Sequence, residues 1–134
     1  MPAEGLTTLP SGLGPKETMD GLVAEVKAKG MTVFARIDHA GGAAQAGLAL
    51  GPTELLVFGS AKAGTPLMQS NQAIGIDLPL KALVWQDVSG KTWLSYNDPI
   101  WLAKRHGIGA ASQPVVDTMA AVLGAVAAKA VAPA

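Results

Sequence analysis

The sequence predicts an α+β domain, a twisted and largely antiparallel sheet with helices packed on it. Three observations carry this prediction. Strand-like segments are joined by helices in some places and by a hairpin, residues 80–97, in others, whereas a doubly wound parallel sheet needs regular β–α alternation. The chain has 134 residues, 49% of them apolar, which suits one domain around one core. No repeat, linker or shift in composition divides it, so residues 1–134 read as a single domain.

Each element has its own signal. Residues 6–9, "LTTL", alternate as a short strand that Pro10 confines to a sheet edge. "GPKETMDGLVAEVKAKG" carries the strongest helix signals, with Pro15 in the first turn, Glu17 at the positive end and Gly30 at the stop. Its Met19, Leu22, Val23 and Val26 form one apolar stripe, whose burial contributes roughly 6–12 kcal/mol before entropy is counted. "MTVFARIDH" alternates as a strand, placing Val33, Ala35 and Ile37 on one face and Phe34 and Arg36 on the other. Asp38 then caps a short helix through "AGGAAQAGL".

"TELLVFG" is an unbroken β-prone run, the pattern of a central strand covered on both sides. Residues 80–97 predict a hairpin turning at 87–90, with Trp85 and Trp93 near each other across it. "DPIWLAKRHG" reads as a helix capped by Asp98 and stopped at Gly107. From about residue 112 to 130 an Ala-rich helix presents Val115, Met119, Val122, Leu123 and Val126 as its stripe, and the tail "VAPA" frays.

Composition excludes several chemistries. Ten basic residues balance ten acidic ones, so there is no electrostatic footprint for nucleic acid or an anionic membrane. Without cysteine there are no disulfides, no thiolate catalysis and no thiolate metal sites. "MPAEGLTTLPSG" lacks a basic flank followed by an apolar stretch, and "VVDTMAAVLGAVAAKAVA" is interrupted by Asp117 and Lys129. A cytoplasmic protein without membrane partners is the expectation.

The segments "FARIDHA", "AGLAL", "PTELLVFG", "KAGTPLMQ", "GIDLPLKALVW", "GKTWLSYNDP" and "RHG" occur in an order and at spacings that closely resemble the family called domain of unknown function 302 (DUF 302). The resemblance covers roughly residues 6–108, leaving the C-terminal helix as its least family-like part. It implies a two-layer α+β fold whose curved sheet carries helices on one face, and it implies homodimers. It implies no particular reaction.

The polar candidates are few. "GSAKAGTP" has glycines at Walker A spacing, Gly59 and Gly64, but Thr65 stands where the lysine belongs and Pro66 where the magnesium-binding hydroxyl belongs. What remains is an anion- or ligand-binding loop of Ser60, Lys62, Gly64 and Thr65, with Thr65-Pro66 starting a helix whose N–H groups point at the ligand. The plain alternative is a turn whose glycines permit positive φ. Asp77, Lys81 and Tyr96 are the other candidates, the last two at the mouth of a cavity; the plainer alternative is that Asp77 caps a turn and pairs with a lysine and Tyr96 is a rim residue.

His39 follows Asp38 and His106 ends a short helix, but the two are far apart with no H-x-x-x-H spacing and no His–carboxylate cluster, and no nucleophile elbow is present, so neither metal nor cofactor is expected. The expected function is non-catalytic binding of a small anionic or organic ligand by a homodimer. The alternatives are an enzyme acting on a small organic acid through Lys62, Asp77, Lys81 and Tyr96, and a structural interaction module using the C-terminal helix. Low charge and an apolar terminal helix favour self-association; if that helix lies in the interface, removing residues 110–134 shifts the dimer towards monomer.

Overall fold

Pro15 at the first helical position and Gly30 at φ +78° bracket helix α1 (Pro15–Ala28), much as the sequence predicts. A computed structural model describes residues 3–133, and in it α1 buries Thr18, Met19, Leu22 and Val26 while Val23 is half-buried. Five strands, β1 (Leu6–Pro10), β2 (Thr32–Asp38), β3 (Thr53–Gly59), β4 (Leu80–Gln86) and β5 (Thr92–Asn97), form one sheet in the order β1-β5-β4-β3-β2, with every neighbouring pair antiparallel. Pro10 does lie on an edge strand, where its missing donor costs no ladder bond.

The sheet has two unlike faces. Leu56, Phe58, Leu80, Ala82, Val84 and Leu94 point to the core and are almost fully buried beneath α1 and α5 (Gln113–Val131). Helices α3 (Ala61–Ser70) and α4 (Pro99–Arg105) pack on α5 on that same side, while the short α2 (His39–Gln45) sits at one end of β3. On the opposite face Leu55, Val57, Leu83, Trp85 and Trp93 are only half-buried. The expectation that β3 is covered on both sides is therefore met on one side only.

Four other expectations change. A bulge between Val33 and Ala35 interrupts the β2 ladder, so Val33 pairs with Phe58 on the core side while Ala35 and Ile37 share the opposite face. Simple alternation cannot foresee one extra residue. Helix α3 begins at Ala61, ahead of Thr65-Pro66, so residues 61–66 are helix and not an open turn. Ser60 is extended and supplies the N-cap, Ala61 and Ala63 are strong helix formers, and Pro66 removes only the donor that would meet the Lys62 carbonyl.

The terminal helix is the third change. Val116, Met119, Leu123, Val126, Ala127 and Ala130 of α5 are buried within the chain itself, against α1 and the sheet. Val116, and not Val115, heads this stripe; Val115 and Val122 lie at its margin. The other face of the helix, with Ala121, Ala125 and Ala128, stays exposed. The fourth change, the separation of Asp77, Lys81 and Tyr96, belongs to the site.

Candidate functional site

Ser60 follows β3 and starts α3 without a side-chain capping hydrogen bond; its carbonyl accepts from Ala63 and Gly64 N–H, which leaves the N–H groups of Ala61 and Lys62 at the open end of the helix. Lys62 follows on the exposed side of that turn. Gly64, buried on the inner side, lets the helix approach closely: a Cβ there would stand 3.6 Å from Leu78 Cδ1 and 3.9 Å from Met68 Cε. This helix start forms one end of a cavity of about 690 Å³.

The walls of the cavity are mostly apolar. Val115, Met119 and Val122 of α5, Met68, Leu78 and Leu80 line it, and so do the bulge residue Phe34 and Met31, whose neighbour Thr32 pairs with Gly59 just ahead of Ser60. Phe34 is 55% exposed, so this edge is open to solvent. Three of the five methionines in the sequence line the site, giving walls that adapt to different shapes. Lys29 and Lys62 supply the charge, and among the described residues neither forms an ion pair. The arrangement resembles a small-molecule pocket in size and lining, with polar groups gathered at one end.

Of the residues singled out in the sequence, Ser60, Lys62, Gly64 and Thr65 come together on this cavity. The other three do not join them. Ala82 pairs with Tyr96, which places Tyr96 on the core side of the sheet, whereas Lys81 pairs with Val57 on the opposite face. They cannot share a cavity mouth.

Asp77 is committed elsewhere, and to Arg105 and His106 instead of a lysine. It ends a 3₁₀ turn, Gln72–Asp77, and accepts two hydrogen bonds from Arg105 Nη1, at 3.1 and 2.9 Å, and shares a contact with His106 Nε2. The side chains of His106 and Asp77 are 10% and 14% exposed, and Asn71 ties the same turn to the His106 carbonyl. This clamp joins the turn to the end of α4. This pair corrects the expectation that no histidine meets a carboxylate; 29 residues separate Asp77 from His106, so no local pattern marks it. Among the described residues no group of three His, Asp or Glu side chains gathers as a metal site would require.

Two other charged clusters are internally matched. A second concavity, bordered by Lys16, Arg36 and Glu54, is crossed by Arg36 pairing with Glu54 at 2.8 Å and Asp20 at 3.0 Å. Hydrogen bonds from Lys16 and then Arg36 hold the Asp20 carboxyl below its usual range. At the β4–β5 turn the Trp93 indole, then Ser89 and the Lys91 backbone, hydrogen-bond Asp87 and depress its pKa to about 2. In the cavity under α3, among the described residues, Lys29 and Lys62 lie unpaired beside apolar surface.

A two-layer α+β domain with one mixed apolar and cationic cavity is the class that fold and site define. The profile of "Domain of unknown function DUF302" matches residues 7–126, and the chain belongs to that family. The match runs well into α5, so the terminal helix is part of the family domain. A DUF302 protein from Bacillus stearothermophilus has the same fold, with a TM-score of 0.84 at 21% identity over 96% of this chain and 99% of that one.

Curated relatives are also similar. "Fluoride-specific ion channel FluC 1" of Brucella suis biovar 1 (strain 1330) is 50% identical over 115 residues, 86% of this chain and 45% of the relative. "Fluoride-specific ion channel FluC 2" of Brucella melitensis biotype 1 is 50% identical over 115 residues, 43% of its own length. The chain thus spans less than half the length of these relatives.

Proposed function

We propose that this domain binds a small organic acid carrying an apolar tail, without transforming it. The observation that supports this reading is the cavity itself, about 690 Å³ with apolar walls and with Lys62, Lys29 and the start of α3 at its polar end. An acid group would meet oriented N–H donors and a lysine, while the tail covers Met68, Met119 and Val122. Catalysis is not proposed, since Lys81, Tyr96 and Asp77 stand apart from the cavity.

Magnitudes favour the tail over the head. An exposed lysine contact contributes about 0.2–1 kcal/mol, whereas each buried methylene contributes about 0.8 kcal/mol. Phosphate alone therefore binds in the millimolar range, and decanoate binds in about the tens of micromolar range after association costs. Calorimetric titration with decanoate, decanol and inorganic phosphate tests this. The expected order is decanoate tightest, decanol next and phosphate weakest. Equal, undetectable heats for all three would contradict it.

A second reading rests on the Brucella relatives, whose printed names are those of fluoride channels. Under it, the domain accompanies a membrane channel and modulates it. Among the described residues only 110–131 are long and apolar enough to cross a membrane, and that helix is the one whose inner stripe fills the core. Deleting the matched segment from the Brucella suis protein and following fluoride efflux from liposomes checks this. Conduction retained with altered rate supports an accessory role; unaltered conduction argues against it.

A further inference from the structure

The cavity has a wet end and a dry end, and α5 shows the gradient between them. Met119 is buried, Val115 and Val122 are half-buried and Thr118 is exposed, though all of them line the cavity. The α3 side repeats this order, from buried Gly64 to exposed Lys62 and Thr65. Thr65 and Thr118 thus stand at the mouth on separate helices, with apolar surface further in.

Neither hydroxyl is used by the protein itself. A threonine within a helix bonds the carbonyl four residues back or turns to its surroundings. Thr18 of α1 does the first, donating to the Gly14 carbonyl at 2.8 Å and lying 2.7 Å from Ser11 Oγ. Among the described residues, Thr65 and Thr118 hydroxyls have no hydrogen-bond partner. An ionised carboxylate only accepts, so Lys62 and the open N–H groups of α3 suffice for it. A hydroxyl on α5 can both donate and accept, which suits a second, neutral polar group.

We infer that the ligand is a hydroxy acid whose hydroxyl lies close to its carboxylate and is read by Thr118. The inference rests on the organic-acid reading above and narrows it. With the carboxylate at Lys62, a hydroxyl near the head group stays at the wet end, within the reach of α5. A hydroxyl at the far end of the tail would enter the surface around Leu80 and Met119, both buried, and lose water without gaining a partner. Its place on the chain therefore decides the sign of its effect.

The test is calorimetric titration of decanoate, each enantiomer of 3-hydroxydecanoate, and 10-hydroxydecanoate. The proteins are the unmodified chain and Thr118→Val, with folding checked by circular dichroism. Valine keeps the branched shape and exchanges the hydroxyl for a methyl group. In the unmodified chain the better 3-hydroxydecanoate enantiomer should bind about two- to tenfold more tightly than decanoate, the worth of one net hydrogen bond. Binding of 10-hydroxydecanoate should be about fivefold or more weaker than that of decanoate. In Thr118→Val the 3-hydroxy advantage should vanish. Decanoate binding with no such advantage, or an advantage kept in Thr118→Val, would overturn the inference and leave the organic-acid reading standing. Undetectable binding of every acid would overturn both.

Discussion

The indole rings of Trp85 and Trp93 stack across the β4–β5 ladder, with centroids 6.1 Å apart and planes at 24°. The two residues are direct register partners on strands joined by a tight turn, so the pair holds the hairpin closed on the helix-free face. Trp93 extends the arrangement to the turn, donating its indole N–H to Asp87, which in turn accepts from the backbone of Ser89 and Lys91.

The first prediction concerns acid. The folded-state pKa of Asp87 is held at about 2 by the Trp93 and Ser89 hydrogen bonds, below the about 3.9 of an unfolded aspartate. Its contribution is therefore fully present above about pH 4 and is lost as pH falls toward about 2. Between those limits the unmodified chain should lose more thermal stability than Asp87→Asn, which lacks that titration. Parallel melting curves for the two proteins would argue against the turn's role.

The turn also makes a conformational demand. Gly90 has φ +86°, and its N–H closes the turn onto the Asp87 carbonyl at 3.0 Å. No neighbour lies within 4 Å of a Cβ placed there, so strain alone decides the cost. Gly90→Val should destabilise by about 1–2 kcal/mol through its left-handed backbone. Chemical denaturation measures this, and an unchanged midpoint would contradict it.

Truncation of the C-terminal helix should unfold the domain. Leu123 is 1% exposed and sits in the common core with Met19 and Leu94. Leu123→Ala should cost about 2–5 kcal/mol. Removing residues 113–131 should abolish cooperative melting. A truncated chain that still melts sharply would show α5 to be dispensable.

Asp77 offers a fourth test. Asp77→Asn removes charge from a clamp that holds both Arg105 and His106. Because Arg105 is half exposed and His106 is not, the His106 contact should dominate the loss. Amide exchange should accelerate in residues 72–77 and at the end of α4, with the β4–β5 hairpin unaffected. Uniform acceleration would indicate a global effect and not a local clamp.

Much of this architecture is legible in the chain because local signals agree. Asp38 and Asp98 cap α2 and α4, accepting from Gly41 N–H and Ile100 N–H, and Gly30 and Gly107 end helices at positive φ. Part of the site is legible too, since Ser60, Lys62, Gly64 and Thr65 are neighbours at one helix start and share the cavity. The rest depends on register and long-range docking. Lys81 and Tyr96 separate because Tyr96 opposes Ala82, and no local pattern encodes that pairing. The bulge that brings Phe34 to the cavity rim and the docking of Val115 and Val122 beside α3 are likewise set by tertiary packing.

The proposed ligand cavity is tested most directly by chemical-shift mapping of decanoate on the unmodified chain, Lys62→Ala and Val122→Phe. The account predicts shifts at residues 59–68 and in Val115, Met119 and Val122, with affinity about two- to fivefold weaker in Lys62→Ala, the worth of one exposed charge. In Val122→Phe, which fills the cavity, the shifts should be largely lost while the protein still melts cooperatively. Shifts confined to the opposite face around Leu83, or binding identical in all three proteins, would contradict it.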